Sequence, residues 1–230
     1  MSDVCGWLHE RLAALPLVTF PLGSEQLPPN GIYFFYERDE LSRHSGADQR
    51  IVRIGTHRDG NFRTRIAEHF GPDLSAMDVR RPKPADRSIF RKHLGRALLN
   101  RARDPYLAVW NIDFTQRANR ERFARERDAR KEQVIEEEVT RLLREHFSFR
   151  PVRLEGQSLR MGEGGLERRL IGTVAQCGRC QPSVSWLGRH HPSKAISEGK
   201  LWLVHYLKAD GLEEGHQKLL ARALRETRVG

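Results

Sequence analysis

Two short apolar runs most constrain this chain: GIYFFY at residues 31–36 and RIVRIG at 50–55. Aromatic and β-branched residues dominate both, glycine opens the first and closes the second, and a polar, charged connection separates them. Runs of this kind read as strands. The connection, about fifteen residues, exceeds a tight hairpin, so it carries loop structure of its own. A third run, FSFRPVRLEG at 147–156, alternates like a strand, and Pro151 marks it as an edge or a bulge.

The rest of the chain reads mainly as helix. Residues 6–15 have helical apolar spacing closed by Pro16. Phe62, Ile66 and Phe70 recur every four residues, with Asp59 or Asn61 to cap the start and Gly71 to stop the helix. A helix over 86–102 places Ile89, Phe90, His93, Leu94 and Leu98 on or near one face, and GLERRLIGTVAQ gives a short buried helix. YLAVWNIDF, residues 106–114, fits another strand or a buried connector. Residues 115–146 read as a long helix, solvated over 116–132 and packed through Ile135, Val139, Leu142 and Leu143. A final helix covers 211–226. Without repeats or a low-complexity linker, one domain with insertions is expected.

The chain has 230 residues, 38% of them apolar, enough for a real core. No window approaches 18 consecutive apolar residues, and the opening MSDVCGWLHERLAALPL lacks a basic lead into an apolar stretch. The expectation is a cytoplasmic protein with no membrane partner. Three cysteines (Cys5, Cys177, Cys180) do not make a disulfide framework. Cys177 and Cys180 have the spacing of half a zinc site, with His190 and His191 following. Adjacent histidines rarely hold one ion together, so two idle thiols at a helix end are expected.

The formal charge is +10, and arginine outnumbers lysine. Residues 80–103 hold nine Arg or Lys against the single acid Asp86. This imbalance points to a polyanionic partner, with Arg87, Arg91, Lys92 and Arg96 as the candidate phosphate contacts.

In chain order, the residues GIY at 31–33, RIG at 53–55, RIAEHF at 65–70 and LERRLI at 166–171 resemble the GIY-YIG nuclease superfamily. The longer stretches RIVRIGTH, SIFRKHLGRALL, SWLG and KLWLVHYL look like a bacterial branch of it. The resemblance implies an α+β fold: a small three-stranded antiparallel sheet flanked by helices, with helical insertions and a C-terminal extension. It divides the chain into a helical segment at 1–28, the nuclease-like domain at 29–207 with a charged helical insertion at about 115–146, and a C-terminal helix at 208–230.

The activity it implies is metal-dependent hydrolysis of DNA phosphodiester bonds, with Mg²⁺ or Mn²⁺ as cofactor and DNA as partner. Such chemistry needs an activated water, charge relief at phosphorus and an ion on a carboxylate. By resemblance Tyr33 activates the water, Arg65 clamps the phosphate and Glu167 holds the metal, with Glu138 as the second choice. His69, one turn after Arg65, supports Tyr33 or meets the phosphate.

Two departures stand out. Arg53 replaces the first tyrosine of YIG, where it would hold the phosphate or act on Tyr33 by proximity. Ser185 stands where the family's late asparagine is expected. His57, after RIGT, is a further candidate for the site. The alternative reading is a non-catalytic nucleic-acid-binding protein on a degenerate nuclease fold. The oligomeric state stays open, and a dimer is compatible with everything above.

Overall fold

A computed structural model describes residues 3–23, 27–44, 49–71 and 78–229. Its centre is a three-stranded antiparallel sheet in the order β2-β1-β3, with β1 Gly31–Leu41, β2 Gln49–Gly55 and β3 Phe147–Arg153. The sheet is the one expected. β1 runs further than its apolar start, to Leu41, which pairs with Gln49, so the connection is shorter than it looked. Residues 45–48 of that connection lie outside the described residues.

Around the sheet lie α1 Val4–Ala13, α2 Phe62–Phe70, α3 Pro84–Arg87, α4 Ile89–Arg101, α5 Leu107–Trp110 and α6 Arg117–Arg122. They are followed by α7 Ala129–His146, α8 Gln157–Arg160, α9 Leu166–Gln176, α10 Lys194–Ser197 and α11 Glu214–Val229. No described helix is long and apolar enough to cross a membrane.

Both faces of the sheet are covered, which explains why the start of β1 is continuously apolar rather than alternating. Tyr33 and Phe35 pack with Phe62, Phe70, Phe90 and Val139 from α2, α4 and α7. Ile32, Phe34 and Tyr36 pack on the other face with Leu8, Leu170 and Leu220 from α1, α9 and α11. Both edges are closed. Val18 exchanges two backbone hydrogen bonds with Phe149 of β3, and the Trp202 N–H donates to the Val52 carbonyl of β2. Pro151 sits on edge strand β3, opposite Tyr33, where its missing N–H costs no ladder bond.

Two helix expectations, and the strand alternative at 106–114, need correction. The helix read over 86–102 is broken at Ser88, whose extended backbone ends α3 and whose hydroxyl caps α4 by accepting from Arg91 N–H. Capping turns Ile89 outward, off the apolar face on which it was placed. The charged stretch 115–146 is not one solvated helix: α6 and α7 are separate, and Arg127 and Glu132 between and within them are buried as an ion pair at 2.8 Å. Residues 106–114 form a helical turn and a connector, with Trp110 and Phe114 buried.

Candidate active site

The two motif glycines answer to close approach. A Cβ on Gly31 would stand 2.3 Å from the Val152 carbonyl oxygen, and one on Gly55 would stand 2.3 Å from the Tyr33 hydroxyl. Tyr33 and Gly55 are paired across β1 and β2, so the phenol ring lies over the glycine. A β-bulge at Val52, between the Phe35–Arg53 and Tyr36–Ile51 pairs, keeps Ile51 in one core while Arg53 and Gly55 stay on the Tyr33 face.

Tyr33 is buried, and its hydroxyl lies 3.0 Å from His69 Nε2. The other ring nitrogen, Nδ1, is 2.8 Å from Ser88 Oγ. Burial, reinforced by the charges of Arg65, Arg53 and Arg91, holds His69 well below the usual imidazole range. The imidazole is therefore neutral at physiological pH, with one nitrogen donating and the other accepting.

Two guanidinium groups face this phenol. Arg53 is buried, donates to the Trp202 carbonyl at 2.5 Å and lies over the Phe90 ring at 4.8 Å. Burial lowers its pKa, while Tyr33 and Glu167 oppose the shift. Arg65 stands at the mouth of the site, donating to Glu68 and to the Arg87 carbonyl, each at 3.0 Å. Burial works against its charge, but Tyr33 and Glu68 outweigh that and raise its pKa.

Glu167 lies in the first turn of α9, and its Oε1 accepts from Thr56 N–H at 3.2 Å. Burial raises its pKa against the pull of Arg53, the Thr56 N–H and Arg65. Its second oxygen takes no hydrogen bond from a described residue. Tyr33, Arg53, Arg65, His69 and Glu167 thus form one electrostatically connected group next to a cleft of about 380 Å³ whose walls include Thr56, His57, Arg65 and Glu68. Of the five, Arg65 is on the wall, while Tyr33, Arg53 and His69 are buried. His57 does reach the cleft, but its nitrogens are committed. Nε2 accepts from Gly31 N–H at 3.2 Å and Nδ1 meets the Arg58 carbonyl. Burial lowers its pKa, so it is a neutral pin for the GIY and RIG ends.

The expected phosphate-binding face fails at two of its four residues. Arg91 is fully buried, bonded to Glu136 by Nε at 3.1 Å and by a second nitrogen at 2.6 Å, and to the His69 carbonyl at 3.1 Å. Lys92 is buried against Asp86 at 2.9 Å. Neither is available to a ligand, because a carboxylate from another part of the fold neutralises each. Arg96 is half-buried and tied to Asn111 at 2.7 Å. Arg87 is exposed, on the wall of a groove of about 630 Å³ that shares Thr64 and Glu68 with the cleft and also includes Arg81.

Ser185 is exposed, with its hydroxyl 3.1 Å from that of Ser183, and does not stand in for an asparagine at the cleft. Glu138 is half-buried and paired with Arg141 at 2.7 Å, and it does not line the cleft. Ser88, Thr56 and Glu68 were missed. A serine preceding IFRK was a readable cap signal, but its bond to His69 was not.

Comparison with known families agrees with this geometry. The family described as GIY-YIG domain matches residues 9–229. No curated protein and no solved structure matches the chain. The match spans nearly the whole sequence, and the chain belongs to the GIY-YIG family, a nuclease superfamily.

Proposed function

We propose that this GIY-YIG chain is an endonuclease that hydrolyses DNA phosphodiester bonds with the help of a divalent cation held at Glu167. The carrying observation is the convergence of Tyr33, Arg53, Arg65, His69 and Glu167, from two strands and two helices, beside one cleft.

The donor set suits a hard cation that retains most of its waters: one carboxylate, half-buried, with one oxygen fixed by a backbone N–H and the other free. Mg²⁺ and Mn²⁺ both fit. Such an ion supplies Lewis-acid polarisation of a phosphoryl oxygen.

The chain's own residues account for the proton and the charge. With Ser88 Oγ accepting from His69 Nδ1–H, the lone pair of Nε2 accepts the Tyr33 proton, so the phenol oxygen is aimed at an attacking water. As the water attacks, its proton passes to the Tyr33 oxygen while the Tyr33 proton moves to Nε2. The negative phosphodiester assists this transfer by offsetting the Arg53 and Arg65 charges that, added to burial, keep the imidazole neutral in the free protein. Arg65, at the cleft mouth, meets the phosphoryl charge, and Arg53 beneath it opposes the charge that develops around the phenol. Arg81 and Arg87 lie along the adjoining groove, where a nucleic-acid backbone would run.

Nicking of supercoiled plasmid with Mg²⁺ or Mn²⁺ tests the proposal. The native chain should nick, and Tyr33→Phe and Glu167→Ala should each reduce the rate by about 10²–10⁴-fold. DNA retention without nicking by the native chain, at any divalent ion, would overturn it in favour of the binding-only reading.

A further inference from the structure

On the sheet face away from the cleft, four side chains from three parts of the chain converge. Cys5 and His9 lie one turn apart on α1, His44 follows the end of β1, and Cys180 lies just beyond α9. All four are buried, and their ligand atoms lie within 4.8 Å of one another. Cys180 Sγ is 3.6 Å from Cys5 Sγ, 3.3 Å from His9 Nε2 and 3.5 Å from His44 Nε2. The sulfurs are too far apart for a disulfide, which needs about 2.05 Å.

These separations are the edges of a metal tetrahedron. With Zn–S about 2.3 Å and Zn–N about 2.0–2.1 Å, tetrahedral geometry places two sulfurs roughly 3.8 Å apart and a sulfur and a nitrogen roughly 3.6 Å apart. The three separations from Cys180 Sγ fall within a few tenths of an ångström of those values, and the remaining ligand atoms lie within 4.8 Å of one another.

The outer shell agrees. His44 presents Nε2 to the cluster while Nδ1 lies 3.2 Å from Asp3 Oδ2, the carboxylate that fixes the tautomer and orientation of a ligating imidazole. Asp3 is itself anchored, capping α1 through Gly6 N–H at 2.8 Å and pairing with Arg179 at 3.2 Å.

We propose that Cys5, His9, His44 and Cys180 bind one Zn²⁺ in a closed, structural Cys₂His₂ site. Two thiolates and two imidazoles in a tetrahedron suit zinc over the harder divalent ions. All four positions are filled by protein and the site is buried, so it leaves no position for a substrate. The ion would join the N-terminal helix, the end of the central strand and the segment after α9, contributing directly to folding. The inference does not depend on the nuclease reading.

It also replaces the expectation of an idle thiol at Cys180, and the His190–His191 pair has no part in it. Cys177 Sγ lies 3.3 Å from His44 Nε2 but is half-exposed and accepts from Arg179 N–H, and it stays outside the ligand set.

The full chain, purified without added metal and then equilibrated with Zn²⁺ and gel-filtered, should carry one zinc per chain by elemental analysis. X-ray absorption at the zinc edge should show two sulfur and two nitrogen neighbours. Co²⁺ exchanged into the site should give a tetrahedral spectrum with thiolate charge-transfer bands. Cys177→Ser should keep the metal, while Cys5→Ser and Cys180→Ser should lose it. A native chain without stoichiometric zinc, a three-sulfur or oxygen-rich shell, or loss of zinc in Cys177→Ser overturns the assignment. The native-chain measurements decide the matter even if a variant does not fold.

Discussion

Arg53 and Arg65 beside the cleft contrast with Arg91, in the seam between α4 and α7, and Lys92, packed against α3 and the Ile112 carbonyl, in how their charge is met. Arg91 has Glu136 in two contacts, plus the His69 carbonyl and Thr140, and Lys92 has Asp86. Their charges are spent inside the fold. Arg53 has a carbonyl, an aromatic face and the Tyr33 hydroxyl as close partners, and Arg65 shares Glu68 at a solvent-reachable rim. The difference lies in the neutralising carboxylate: buried and in direct contact for Arg91 and Lys92, partly exposed for Arg65, and out of direct contact for Arg53. The two sets also touch: Arg91 holds the carbonyl of His69, so the seam braces the helix that carries the imidazole behind Tyr33.

The sharpest break of that contrast is functional. Arg65→Ala should lower plasmid nicking by about 10²–10³-fold, while thermal or urea unfolding shifts by less than about 1 kcal/mol, because its ion pair is partly exposed. Equal losses of activity and stability would erase the distinction.

Glu136→Ala should act the other way, costing about 3–5 kcal/mol in urea unfolding, since it leaves Arg91 charged, buried and unpaired. The double replacement Arg91→Met with Glu136→Leu should recover most of that loss. A single variant that unfolds like the native chain would show that the seam is not what holds α4 to α7.

A carboxylate without a cation of its own sharpens the comparison further. Glu37 Oε2 accepts from the indole N–H groups of Trp186 and Trp202, and burial lifts its pKa from 4.5 to about 7. The folded state therefore holds the proton that the unfolded chain releases. Its stability contribution is complete below pH 4.5 and is lost as pH rises through about 7. Glu37→Gln should flatten that decline, by about 1–3 kcal/mol between pH 5 and 8. An unchanged pH profile of unfolding would refute the shift.

The smallest effects belong to the solvated pairs. Arg141→Ala, which removes solvent-screened contacts to Glu138 and Glu145, should leave the urea or thermal unfolding midpoint unchanged. Glu138→Gln should leave metal-dependent nicking intact, and a loss comparable to Glu167→Ala would move the metal to α7.

Much of the fold could be read before any coordinates. The runs at 31–36, 50–55 and 147–153 are strands because aromatic and β-branched residues favour a pleated, buried surface. Gly71 ends α2 with a positive φ of 82°, as a helix-stopping glycine should. The catalytic candidates on the ordered motif also arrive beside one cleft. The errors cluster where charge was judged from composition. Arg91 looked like a surface cation because a one-dimensional pattern does not show a partner 45 residues away. Lys92 and Glu132, whose partners Asp86 and Arg127 are near in sequence, looked solvated because the pattern does not show that packing buries such a pair.

By itself, then, the sequence determined the apolar strand cores, the limits of α2 and α9 and the family order of Tyr33, Arg65 and Glu167, because these depend on residues near one another or on the order of short motifs. Tertiary structure alone decided which guanidinium groups stay available, that Ser185 misses the cleft, and that Cys5 meets Cys180 across 175 residues. The physical reason is that ionic neutralisation and metal-ligand geometry are properties of distance in space. Packing around the sheet sets those distances, and no local spacing along the chain encodes them.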